Sequence, residues 1–184
     1  MYLRTSSMLL PLYILYLLGM TSVTAQPVNC DQSAIPTSAW ATLHRQFPDS
    51  HIVTVQNLDQ DERTEWETRK SKTCPGVLHG IFSSGVEGYV VSLTSKAGEF
   101  RSKDTLVFLR KTANGYLIHV LSPTVEVTAH TYVLSMAPPG TYDPVESSVK
   151  TRIRWPMVIY EGRGAGSTGC FYAGGRWHSL DLSE

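Results

Sequence analysis

The sequence predicts an α+β fold: two N-terminal helices packed on one twisted, mostly antiparallel sheet that can curl into a partial barrel. Three observations carry this. Helical spacing of apolar residues is confined to the stretch between Thr37 and Lys72. From Val77 onward apolar residues alternate at the period of two that a pleated strand imposes. Glycine-bearing turn signals separate the alternating runs, notably at Asn114-Gly115 and Gly174-Gly175.

The chain opens on a segment that reads as a leader. Arg4 supplies a short positive region, Met8 to Met20 is an almost unbroken apolar run, and Val23-Thr24-Ala25 offers small residues where a signal peptidase reads them. That pattern predicts a secretory signal peptide over 1–25, cleaved after Ala25. A retained membrane anchor is the competing reading, but the run falls short of the ~20 apolar residues a spanning helix needs. No second apolar run of that length follows. The expected organisation is a signal peptide, 1–25, and a single α+β domain, 26–184. It is expected to be secreted or periplasmic, with no membrane span after cleavage. Its 159 residues (184 less 25) suffice for one domain with a real core.

Residues 26–36 are polar and proline-containing, which favours extended chain. Thr37 or Ser38 can cap a helix through Phe47, with Trp40, Leu43 and Phe47 on one face. Pro48-Asp49 ends it, and His51 to Val55 alternates like a strand. A second helix is expected from Gln60 to about Lys72. Its acidic residues come early and its basic ones late, complementing the helix dipole, and Trp66 is its one large apolar anchor. The organising stretch follows, Cys74 to Leu93: strand, tight glycine-bearing turn, strand. Thr105–Arg110 and Tyr116–Leu121 flank Asn114-Gly115, the strongest short hairpin signal in the chain. Thr131–Ser135 reads as a strand closed by Pro138-Pro139-Gly140. Arg152–Tyr160 reads as an edge strand or one broken at Pro156. Cys170–Ala173 and Arg176–Leu182 close the chain around Gly174-Gly175. The inner sheet face is expected to hold Ile81, Tyr89, Val91, Leu106, Phe108, Leu117, Val133 and Trp177.

Charge and motifs narrow the function classes. Sixteen basic residues balance sixteen acidic ones, and only Arg69-Lys70-Lys72 and Arg152-Arg154 form short basic patches. That argues against nucleic-acid binding. Three cysteines and six histidines lack metal-ligand spacing, so neither a metal nor a cofactor is expected. His79, His119 and His178 all fall on expected strands. In an oxidising compartment two cysteines should pair. Placement on core elements favours Cys74 with Cys170, leaving Cys30 as the free thiol. The rival bridge, Cys30 with Cys74, would tether the helices to the sheet. Gly164-Ala165-Gly166-Ser167-Thr168-Gly169 spells a dinucleotide fingerprint on paper, but an aromatic strand follows where a helix is required. Arg163, Gly164, Gly166, Ser167 and Thr168 are instead expected to form a donor-rich loop that contacts a partner.

The central hairpin carries a resemblance. Gly80-Ile81-Phe82-Ser83-Ser84-Gly85-Val86-Glu87-Gly88-Tyr89-Val90-Val91 resembles a degenerate copy of the calcium-binding turn of FG-GAP/VCBS-type repeats. It is also similar to that segment in small uncharacterised secreted bacterial proteins. In the repeats, acidic side chains in the turn hold calcium. Ile81, Ser83, Ser84 and Val86 stand in that region here, and Gly88 replaces the last aspartate. Calcium needs several hard oxygen ligands, so the resemblance implies the hairpin without the ion.

No nucleophile elbow, His-Glu-x-x-His or Walker loop is present. Two function classes follow. One is a secreted or periplasmic binding module with a protein partner, such as an inhibitor or neutraliser of an envelope-acting enzyme. The other is a small hydrolase assembled from dispersed groups: His79 or His119 with a carboxylate, for which Glu87, Glu126 and Glu161 are available.

Overall fold

The computed structural model describes residues 30, 34–70, 73–96, 102–127, 133–145, 149–161 and 166–183; the expected leader lies outside them. Helix α1 is Thr37–Gln46 and strand β1 is His51–Ile52; a 3-10 turn at Val55–Asn57 leads into helix α2, Gln60–Lys70. Then come β2 (Val77–Ser83), β3 (Val86–Lys96), β4 (Ser102–Thr112), β5 (Gly115–Val127) and β6 (Val133–Ala137). The short β7 (Gly140–Tyr142) and β8 (Thr151–Ile153) precede β9 (Met157–Glu161), β10 (Ser167–Ala173) and β11 (Arg176–Ser183). Every pairing among the described strands is antiparallel.

The expected single sheet is resolved into two sheets and a ribbon, and none closes into a barrel. The first sheet runs β1-β3-β4-β5 with β2 added beside β3; the second runs β11-β10-β9-β6; β7 and β8 pair alone. The physical reason lies in β3 and β4. Val90 and Val91, and Leu106 through Leu109, are all buried. Consecutive buried residues on a strand require cover on both sheet faces.

Helix α1 covers one face, where Ala39 and Leu43 pack with Val91, Leu93, Val107 and Leu109. The second sheet covers the other, where Leu134, Val158 and Cys170 meet Phe82, Val90, Leu106 and Phe108. The ribbon closes the far side of the second sheet through Ile153, packed with Ala137 and Met157. The layers are therefore α1, first sheet, second sheet, ribbon. Helix α2 does not join the stack and is held by Trp66, the one large apolar anchor the sequence offers on it. Its Trp66 packs on Val53 and Leu58, and the indole Nε1 donates to the Thr73 carbonyl at 3.0 Å.

Local chemistry explains the smaller departures. Pro36, not Thr37 or Ser38, occupies the cap of α1. Strand β1 stops after two residues because Asn57 Oδ1 accepts from the Thr54 backbone N–H at 2.8 Å and folds the chain into the 3-10 turn. Pro156 splits the expected Arg152–Tyr160 strand into β8 and β9. The β4–β5 hairpin turns on Ala113-Asn114, one position early, with Thr112 Oγ1 donating to the Gly115 carbonyl at 3.1 Å. At Gly174-Gly175 both φ values are positive, 57° and 84°, as a two-residue hairpin turn demands. Ile81 and Leu117, expected inside, are each 55% exposed. Alternation assigns a side chain to a face, but not how far the covering layer extends.

The cysteine pairing is corrected outright. Cys30 is bridged to Cys74, with Cα atoms 5.2 Å apart, and Cys170 is the free, buried thiol. Cys170 points into the apolar layer between the sheets, among Phe82, Val90 and Phe108. Cys74 stands in the turn before β2, outside that layer. Cys30, expected to be the leftover thiol, is the one that Cys74 takes up. Burial among these side chains pushes the Cys170 thiol up to about 12, with Asp181 adding to the shift.

Candidate functional site

Two hairpin turns and the break between β8 and β9 meet at one end of the second sheet and form an open cleft of about 330 Å³. The β2–β3 hairpin contributes Ser83, and the segment between β8 and β9 contributes Arg154 and Trp155. The β10–β11 hairpin contributes Ala173 and Gly174; Arg152, Phe171 and Tyr172 complete the lining. Pro156 creates this site: by ending β8 it turns Trp155 outward, 37% exposed, while Ile153 between the two arginines stays buried. Arg152 and Arg154 are both exposed, and neither has an ion-pair or hydrogen-bond partner among the described residues.

The aromatic wall is pre-organised. Tyr172 Oη donates to the Gly175 carbonyl at 2.8 Å and its ring sits edge-on to Trp177, 5.6 Å between centroids. Phe171 stacks on His178 at 5.3 Å. In the cleft, two guanidinium groups beside aromatic surface have the chemistry to pair with carboxylates and to stack on planar groups. The sequence held a signal for it in Arg152-Ile153-Arg154-Trp155-Pro156, an alternation broken by a tryptophan and a proline. Read as a basic patch, that stretch did not reveal which aromatics would join it.

The expected contact loop lies elsewhere. Arg163 and Gly164 are outside the described residues. Gly166 has φ of 77°, and Ser167 and Thr168 belong to β10, where Thr168 Oγ1 donates to Asp181 Oδ1 at 3.0 Å. Six residues along a strand separate Ser167 from Ala173, about 20 Å. Gly169 is a packing position, where an added Cβ would run into the Met157 side chain.

The histidines on strands do not converge. His119 stacks on Phe108 at 6.3 Å and His178 on Phe171, while the His79 ring is tilted against Tyr89 at 4.5 Å. His79 does meet a carboxylate: its Nε2 lies 3.3 Å from Glu87 Oε1, and Lys111 Nζ lies 3.2 Å from the same oxygen. Neighbouring β2, β3 and β4 supply one residue each. The trio stands on open sheet, with the His79 and Glu87 side chains 51% and 39% exposed. No described cleft receives them.

Hydrogen bonding from Lys111 holds the Glu87 carboxyl below its ordinary value of 4.5, against an opposing desolvation effect and with His79 helping. A depressed folded-state pKa contributes stability that is present above the unfolded value and lost as pH falls through the folded one. Lys111→Ala should therefore move the Glu87 titration upward, toward the model-peptide range, in a carboxyl-carbon NMR titration. An unchanged midpoint would show that the pair does not form in solution. With Glu87 so engaged, millimolar calcium is expected to leave the melting temperature unchanged. A saturable increase abolished by Glu87→Gln would contradict this.

Comparison with protein-family models, with curated proteins and with solved structures finds no match for this chain. The fold and the cleft thus define the molecule by architecture: a layered, mostly antiparallel α+β domain carrying an arginine–aromatic cleft at the end of its second sheet.

Proposed function

We propose that the protein is an exported binding module, secreted or periplasmic. In this reading its cleft captures a protein partner through acidic side chains, as an inhibitor or neutraliser of an envelope-acting enzyme would. The observation that carries it is the pair Arg152 and Arg154, exposed beside Trp155 in the cleft and without ion-pair or hydrogen-bond partners among the described residues. Arginine and tryptophan are the residues that most often dominate binding at protein interfaces. Export is supported by the Cys30–Cys74 bridge, since such bonds persist in oxidising compartments. No helix among the described residues is long and apolar enough to cross a membrane.

The hydrolase alternative rests on the His79–Glu87 contact. That pair is exposed and lies outside the described cleft, and Lys111 already engages the carboxylate. The binding reading is preferred for that reason.

The test uses two immobilised baits, the exported protein and its Arg152→Glu, Arg154→Glu variant, in envelope extract. Both residues are exposed, so the variant should fold normally. Proteins held by the first bait should be lost from the second, and should elute near ~1 M salt, where the screening length falls to about 3 Å. Identical capture by both baits, or none above background, overturns the reading.

A further inference from the structure

The first sheet ends in an edge that no described strand pairs. Strand β5 closes the order β1-β3-β4-β5 and pairs only with β4. From Gly115 to Val120 it runs in unbroken register with Thr112 to Val107. Among the described residues, no other backbone hydrogen bond reaches this run. A free edge is a template for another strand, and proteins usually blunt it with lysine, proline or a bulge. Gly115 to Ser122 contains no Lys, Arg, Asp, Glu or Pro, and the bulge comes only beyond Val120, between the Leu106 and Val107 pairings. Leu117 and Val120 are 55% and 50% exposed there.

The other edges are managed. At β6, Leu134 donates its N–H to the Pro75 carbonyl, and at β11 the Asp181 carbonyl accepts from Val145. Strand β11 also carries charge at Arg176 and Asp181. Strand β1 has two residues, and β2 is bulged between Ile81 and Ser83.

We infer that β5 is a self-association edge, paired antiparallel with β5 of a second copy of this chain. A two-fold axis normal to the sheet through Ile118 sets Ile118 against itself, Tyr116 against Val120 and Leu117 against His119. Each side chain stays on its own face. The uncharged run opposes no like charges, and the exposed Leu117 and Val120 gain neighbours. Helix α1 lies against β5, so the two α1 helices flank the axis and enlarge the interface. The symmetry is closed: pairing uses both free edges at once, and assembly stops at two. A foreign strand would satisfy the backbone but carries no such built-in match.

The test is sedimentation equilibrium of the exported protein from micromolar to millimolar concentration, with hydrogen exchange at both extremes. The expected result is a dimer at high concentration, with amides in 115–121 exchanging roughly tenfold more slowly than at low concentration. Leu117→Lys with Val120→Lys should give a monomer with an unchanged circular dichroism spectrum. The wild-type exchange pattern decides the matter even if that variant misfolds. A monomer throughout, a dimer that survives both lysines, or protection arising at another strand would overturn the inference. So would a monomer whose edge instead binds an added strand-forming peptide.

Discussion

Protein carrying Cys30→Ser and Cys74→Ser is expected to lose about 4 kcal/mol of unfolding free energy. The bridge closes a loop of 45 residues, one more than the sequence separation of 44. In the chain-entropy account a loop of that length restrains the unfolded chain by about 4 kcal/mol. The loop contains α1, β1 and α2, so without it the first third of the fold is attached mainly through packing on Ala39, Leu43 and Trp66. With a urea slope of about 2 kcal/mol/M, the midpoint should fall by roughly 2 M. Non-reducing peptide mapping should link residues 30 and 74. A thiol reagent should find Cys170 only after denaturation, because the thiol is buried and resists ionisation. A midpoint change below about 0.5 M, or a Cys74–Cys170 peptide, would defeat this account.

Phe108→Ala should cost a similar amount by another route. Phe108 is fully buried in the layer between the sheets. Its ring meets Trp177 edge-on at 4.9 Å and Phe82 at 5.4 Å, with His119 stacked at 6.3 Å. On the adjacent strand Gly88 leaves room for that ring; an added Cβ there would run into Phe108 and the Leu109 carbonyl. Truncation removes one of the contacts that join the sheets and leaves a cavity between the two layers. The expected loss is about 3–5 kcal/mol, a melting temperature lower by roughly 6–20 °C for a domain of this size. Phe108→Leu, which fills much of the space, should cost far less. Equal losses for the two variants would show that volume is not what Phe108 supplies.

Element type and order were legible because they depend on local rules. Trp40, Leu43 and Phe47 mark a helix by spacing alone, and Gly174-Gly175 marks a hairpin by backbone freedom alone. Pro156 could be read as a break because a residue without an N–H cannot continue a ladder. The inner-face assignment fared unevenly for a physical reason. Val91 faces α1 whereas Leu106 and Phe108 face the second sheet, so the residues expected on one inner face fall on two opposite faces, and Ile81 and Leu117 stand exposed where neither cover reaches.

The candidate site was far less legible. Ser83, Arg154, Trp155, Phe171 and Gly174 come from three separated segments that share no periodicity. Ser167 and Thr168 of the expected contact loop stand at the opposite end of β10. By itself the sequence determined a run of helices followed by antiparallel strands, near-neutral charge, and the positions of most turns. Those properties follow from residues a few places apart. Only the tertiary structure decided that the strands split into two stacked sheets, that Cys30 reaches Cys74, and that two arginines meet an aromatic wall. Each of these depends on which surfaces bury one another, and that is a balance over the whole chain to which no single stretch holds the answer.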